Sequence, residues 1–449
     1  MKKLTAIIGS IVLSTMLFAQ NTKQELEDLS KPIIDQNVDK PKKADIYELI
    51  SKAQKELRKR QPNAKVYQAV VSVDVGPDDV QYYEYLASAY NQAVLDIKAQ
   101  MVLRKTGEIQ VEESYKLYQK QIPDDLLKAE LRKEVDEKIK EAESQENDLF
   151  ALVGKIIDKA VSNGKNEEEK KKIEAEVEQT LFNKAMMEKA IKSGFDEISG
   201  LVPYENFIVT KNDGEVELGV LAYVTERSVA LARDLRQGHQ SKKTTNTAQC
   251  KSAESIVDTL DDNALNSKLG LQYYYNENCR PALLAYGLDS FMKEEGMNAD
   301  NRRISIEHAR SMADKIISNF LSSNVNVESI TSKLSEKVRT ASINAVKDAK
   351  KTTYKNNKTN RTSMIKEISQ EFTSSSSMSL RGLEDARIWS IDKGDYMLVG
   401  TIRYYSMDSI EAANREFDPN YGKDYSAKET QKSYGNSVKR SSNIEVDDF

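Results

Sequence analysis

The sequence is poor in the residues that most enzyme chemistry needs. Histidine occurs twice in 449 residues, as His239 and His308. There is no His-x-x-x-His pair and no Cys-x-x-Cys pair, so the ligand spacing of a zinc site is missing. A Ser–His–Asp arrangement needs a histidine base, and neither histidine lies in a Gly-x-Ser-x-Gly context. Phosphate loops are lacking too. Gly154-Lys155 and Gly164-Lys165 are followed by Ile and Asn, where a nucleotide loop needs Ser or Thr. Tryptophan occurs once, at Trp389, too little for an aromatic sugar cleft. Carboxylate pairs such as Asp78-Asp79, Asp124-Asp125 and Asp261-Asp262 read as helix starts, where negative charge meets the positive end of the helix dipole. Nor is there an excess of one charge. The 66 basic residues nearly cancel 71 acidic ones, for a net charge of −5, so nothing calls for a nucleic acid. These absences predict a protein that is not an enzyme and needs no cofactor and no metal.

Long apolar runs are confined to the N-terminus. Lys2 and Lys3 precede an apolar stretch from Leu4 to Phe18 that ends in Ala19-Gln20. That order describes a secretory signal peptide over residues 1–19, cut between Ala19 and Gln20. The run is short for a membrane span of roughly 20 residues. No later stretch is apolar enough to cross a bilayer. The expectation is a bacterial chain exported to the periplasm, with no transmembrane segment after cleavage. Cysteine is nearly absent, with Cys250 and Cys279 alone. In an oxidising compartment an even pair reads as a bridge, and two buried thiols are the alternative.

What is present is a rhythm of strands and helices. Residues 20–62 are polar, with a short helical pattern at Ile46, Leu49, Ile50 and Ala53, and read as an N-terminal arm. A first α/β unit is predicted over 63–235. Tyr67, Ala69, Val71, Val73 and Val75 alternate with polar neighbours, the period of a half-buried strand. Leu86, Ala89, Ala93, Ile97 and Met101 then form one stripe of a helix. A helical insertion over about 112–198 reads as a hairpin of two long helices. Two strands follow, joined by the turn signal Asn212-Asp213-Gly214.

After a polar linker over 236–270 the order repeats in a second unit, 271–412. A strand lies in CRPALLAYGL (279–288), and a helix carries Ile306, Ala309, Ala313, Ile316 and Phe320. RIWSI and YMLVGTIRYYS close the unit as a hairpin. A constant offset of 182 pairs Gly200 with Gly382, Phe207 with Trp389 and Val220 with Ile402. A one-residue gap in the turn pairs Gly219 with Gly400 and Tyr223 with Tyr404 instead. The gap-free version keeps the sheet faces in phase and is preferred. Residues 413–449 read as a disordered tail. The fold class expected is α+β: two similar strand–helix–hairpin units, each with its helix packed on a small antiparallel sheet.

Tyrosine is the unusual surplus. Of 21, several cluster as Tyr82, Tyr83 and Tyr85 and as Tyr273, Tyr274 and Tyr275, a candidate interface set weighed against ordinary packing. Strand, alanine-spaced helix, variable segment, Gly-Leu, a Trp-bearing strand and YMLVGTIRYY together resemble the LPP-type envelope lipoproteins and the related domain of periplasmic flagellar H-ring proteins. The resemblance is clearest over 279–406 and weaker over 64–228. It implies a non-enzymatic protein that forms protein–protein contacts, or a homo-oligomer, in the envelope. The other function expected from these units is a periplasmic small-molecule-binding module with a cleft between them.

Overall fold

The computed structural model describes residues 45–121, 125–144, 149–196, 198–237, 247–321, 327–348, 354–375 and 380–417. Helix α1 (Ile46–Arg60) starts where the Asp45 carboxylate accepts a hydrogen bond from Tyr47 N at 2.9 Å. Its stripe Ile46, Ile50, Ala53 and Leu57 is buried against the first sheet. The segment read as an arm therefore ends in a wall of the first unit. Strand β1 (Lys65–Val73) leads into α2 (Tyr82–Gln121), whose 40 residues span about 60 Å. The insertion holds four helices where the hydrophobic stripes suggested two: α3 (Asp125–Ser144), α4 (Leu149–Ser162), α5 (Glu167–Leu181) and α6 (Lys184–Asp196). The difference lies in Asn166 and Asn183, whose side chains accept from Glu169 N and Met186 N at 2.9 Å and open new helices. Strands β2 (Val202–Thr210) and β3 (Val216–Val224) close the unit, and α7 (Glu226–Gln237) follows. The sheet order is β1–β3–β2, all antiparallel.

The second unit begins with two short helices, α8 (Ala253–Val257) and α9 (Asp262–Ser267), and an extra strand, β4 (Gly270–Tyr275). Asp261 caps α9, as its place in an acidic pair suggested. Then come β5 (Pro281–Met292), α10 (Asn298–Leu321), α11 (Val327–Asp348), α12 (Tyr354–Ser375), β6 (Glu384–Asp392), β7 (Tyr396–Ser406) and α13 (Met407–Phe417). The order β4–β5–β7–β6 is again antiparallel throughout. The fold is α+β. Among the described residues no helix is long and apolar enough to cross a membrane.

The hairpin registers decide how the two units correspond, and they overturn the gap-free alignment. Phe207 lies opposite Gly219, and Trp389 lies opposite Gly400. Each β2-type strand is irregular at the same place, Pro203/Glu205 and Asp385/Arg387. One residue is thus missing from the second turn. The faces stay in phase because the gap lies in the turn and not in a strand. The likeness reaches the helix caps. Thr225 and Ser228 exchange backbone-to-side-chain bonds at 2.9 and 3.1 Å, and Ser406 and Ser409 do the same at 2.9 and 3.0 Å. Gly200 and Gly382 both adopt positive φ, +82° and +85°, and a Cβ there would strike the backbone of Ser228 or Ser409.

The opposite faces of the sheets are closed differently. Helix α2 lies over the Tyr67 face of the first sheet, with the Arg104 guanidinium 5.7 Å from the Tyr67 ring. In the second, α10 approaches so closely that a Cβ on Gly287 would lie 1.9 Å from Ala309 O. On the reverse, α1 covers the first sheet, and Arg387 of β6 donates to the Val257 and Leu260 carbonyls of the α8–α9 segment. The insertions do not stay with their own units. Helices α11 and α12 of the second pack on α4, α6 and α2 of the first, making one composite helical bundle. Phe195 meets Phe372 edge to face at 5.5 Å, and Arg339 pairs with Glu178 at 2.9 Å.

Replacing Gly287 with Ala drives its methyl into the α10 backbone. We expect a loss of about 1–3 kcal/mol, read as a lower urea midpoint, with little change for Gly394→Ala where the added atom meets open space. Gly394 has positive φ, +94°, so its own cost is the smaller one of backbone strain.

Candidate functional site

One feature in which both units take part is the seam where α2 faces α10. Tyr90, Asn91, Val94 and Lys98 form one stripe of α2, and Ile316, Asn319 and Phe320 form the answering stripe of α10. Leu201 just before β2, Pro203 of β2 and Leu271 of β4 complete the lining. The space enclosed is about 10 Å³, room for about one water.

Its polar groups are bonded to one another across the units. Lys98 Nζ donates to the main-chain oxygen of Asn319. That carbonyl belongs to the last turn of α10, where an amine is a favourable partner. Asn319 Nδ2 lies 3.4 Å from Asn91 Oδ1, and Asn91 Nδ2 lies 2.7 Å from Met312 Sδ. The Phe372 ring sits 5.8 Å from Lys98 Nζ. Lys98 is 1% exposed, and burial pulls its amine down to about 7. Burial likewise raises Asp96, whose carboxylate takes hydrogen bonds from Ser369 at 2.8 Å and Gln92 at 2.7 Å. The space beside the amine admits nothing much larger than water.

The tyrosine clusters do not form an outer interface. Tyr82, Tyr83, Tyr273, Tyr274 and Tyr275 are all under 9% exposed, and Tyr85 is half-buried. They are spent inside, between the units. Tyr82 and Tyr83 of α2 lie near Tyr396 of β7. Arg227 of α7 donates to the Tyr275 hydroxyl at 2.9 Å, tying α7 to β4. The apolar bodies of the tyrosines fill the interior; the buried Tyr273 and Tyr274 hydroxyls find no hydrogen-bond partner among the described residues. Cys250 and Cys279 are bonded to each other, Cα to Cα 5.0 Å. Ala19, Gln20, His239 and the tail from residue 418 lie outside the described residues. His308 is exposed, 3.5 Å from the buried Asp289 carboxylate. Ser305 Oγ donates to that same carboxylate at 2.5 Å and not to the histidine, so the three side chains do not make a nucleophile and its base.

Sequence reasoning passed over Lys98, Asn91 and Asn319. One signal was available: Lys98 stands between Val94 and Val102 at four-residue steps, a lone charge on an apolar stripe. The other node it passed over is Arg280. This buried guanidinium, beside the disulfide, donates to Asp408 at 2.7 Å and to Glu411 at 2.9 Å. It fastens α13 to the β4–β5 turn.

The family model that matches this chain is a domain of unknown function, DUF6844, over residues 146–237. It spans α4 to α7 with the closing hairpin of the first unit. A crystal structure at 2.3 Å of a hypothetical protein from Francisella tularensis is similar, with a TM-score of 0.46 and 16% identity. The match covers 84% of this chain and 96% of that one. No curated protein matches.

The Arg280 node sets an acid limit. The Arg280 guanidinium holds the Glu411 carboxyl below its usual range. At Asp408 partial burial pushes upward, but bonds from Arg280, Asn276 and Asn278 outweigh it and the net shift is also down. Both groups bind fewer protons folded than unfolded, so their contribution is full above the ordinary carboxylate range and fades as pH falls through and below it. We expect Arg280→Gln to cost about 1.5–3 kcal/mol at pH 7. Unfolding curves from pH 7 to 3 should converge with the parent's toward acid.

Proposed function

We propose that this chain is a non-enzymatic structural or adaptor protein, exported to the periplasm of a bacterium, that forms protein–protein contacts in the cell envelope. The observation that carries the reading is the composite bundle. Both units contribute helices to one body whose outer positions carry many charged side chains, such as Glu167, Glu168, Lys171 and Lys172 on α5. A body of that kind offers broad polar contact surface and joins the two units through it. The leader pattern and the Cys250–Cys279 bond agree with an oxidising compartment. The seam counts against ligand capture, because a drug-sized site needs roughly 300 Å³ or more, against about 10 Å³ here.

Two measurements in intact cells test this. Alkylation of thiols without reductant should find Cys250 and Cys279 protected in the osmotic-shock fraction. Photo-cross-linkers placed at exposed Glu168 and Lys171 should give one discrete adduct, reproducible and weakened when the neighbouring exposed Glu167 and Lys172 carry reversed charge. Reactive thiols in a cytoplasmic pool, or cross-linked smears that ignore the charge reversal, would retire the proposal.

The bond itself closes a loop that includes α8, α9 and β4. We expect Cys250→Ser with Cys279→Ser to lower stability by about 3–4 kcal/mol, read as a fall in urea midpoint that reductant reproduces in the parent.

A further inference from the structure

We propose that the Cys250–Cys279 bond is a redox clasp on a movable cover. Residues 251–269 lie closed over the reverse face of the second sheet while the sulfurs are joined, and lift from it when a dithiol reduces them. The cover crosses that face from β5 to β6. Tyr286, Ile402 and Arg387 stand side by side on β5, β7 and β6. Lys268 Nζ lies 5.4 Å from the Tyr286 ring, and Arg387 donates to the Val257 and Leu260 carbonyls at 3.1 and 3.3 Å. Trp389, two residues along β6 on the same face, is buried with Leu288 and Ile402.

The two units close this face by different means. On the first sheet α1 lies as one continuous helix, Ile46–Arg60, with no sulfur bond to hold it. The second sheet has α8 and α9 in that role, 5 and 6 residues long. Helices so short do not hold themselves in water. Val257, Leu260, Leu265 and Leu269 are buried, and their gain is set against the ordering of residues 250–269. That balance is narrow, so the pinning of the ends decides it. One end is pinned by the chain itself, which runs from Leu269 into β4 at Gly270. The other is pinned at the far end of β4. There Cys250 lies beside Tyr275, Lys251 N donates to Tyr275 O at 3.0 Å, and the sulfur bond joins Cys279. Once that bond is cut, loop closure favours the open cover.

The two sulfurs play unequal parts. Cys279 sits in a turn that holds itself. Asn276 Oδ1 accepts from Asn278 N at 3.1 Å and from Arg280 N at 2.9 Å, and Arg280 is fastened to α13. Cys250 belongs to the end of the cover and moves with it. Both cysteines are half-buried, and Glu277 and Asn278 beside Cys279 are exposed, so a dithiol can approach. One thiolate of the dithiol attacks a sulfur of the bond and forms a mixed disulfide, while the other sulfur leaves as a thiolate and takes a proton. The second thiol of the reductant then displaces the chain. The chain gains two electrons and two protons, and the reductant departs as its own disulfide. A small-molecule disulfide reverses the exchange, and the fixed Cys279 gives Cys250 a place to return to.

The full chain, folded and without urea, is compared before and after dithiothreitol, with mass spectrometry following the bond. Amide exchange over 253–268 is expected to rise by about 100-fold on reduction, with α1 and α4 unchanged. No rise, or a rise shared equally by α1, overturns the proposal, as does a bond that dithiothreitol cannot cut in the folded chain. Trp389 is the single tryptophan, so its emission reports on this face alone. That emission should move to the red on reduction and return when oxidised glutathione re-forms the bond. An emission that stays fixed, or fails to return, overturns the clasp.

Discussion

One helix carries the interior. Helix α2 lies on the first sheet, meets α10 across the seam, and extends its far half into the bundle. Its contact surfaces require apolar residues over most of its circumference, and Leu86, Ala87, Tyr90, Ala93, Val94, Leu95, Ile97, Ala99 and Val102 supply them. Its polar edge runs through Glu84, Ser88, Gln92 and Asp96, and Lys98 lies off it, on the buried side. The amine therefore has to be satisfied by whatever lies opposite, and that is the terminal carbonyl of its counterpart helix. The buried lysine is a consequence of asking one element to serve two units at once.

The duplication explains much of the rest. Hairpin register, strand irregularity, positive-φ glycine and reciprocal Ser/Thr cap recur in both units. What differs is how each sheet's second face is closed. The first uses α1, whose Ile46 and Ile50 fill the space left by Gly219. At the corresponding Gly400 the second sheet places its own Trp389 across the gap. A glycine opposite an aromatic residue thus serves two designs: a socket for a foreign helix in one, a bed for an indole in the other.

Much of this was legible in the chain. Period-2 alternation located β1, the Asn-Asp-Gly turn located the β2–β3 hairpin, and alanine spacing located α2 and α10. The α+β class followed from those elements. The alignment of the hairpins was not legible. Both versions keep apolar residues on apolar faces, and only main-chain pairing separates them. Helices α7 and α13 were hidden because short amphipathic runs after a strand look like linker. The tyrosines misled because composition cannot distinguish a surface between molecules from one between halves of the same molecule. Lys98 was visible as a charge on an apolar stripe, but its partner lies 221 residues away.

The composite bundle also bears on how the protein comes to be folded. Helix α2 is complete early in the chain, yet the faces it shares with α11 and α12 are covered only after most of the polypeptide has been made. Contacts of such long sequence separation slow folding, since loop closure precedes any gain from burial. Neither half covers its own helices completely, and a product ending before α11 leaves the flank of α2 that α12 covers bare.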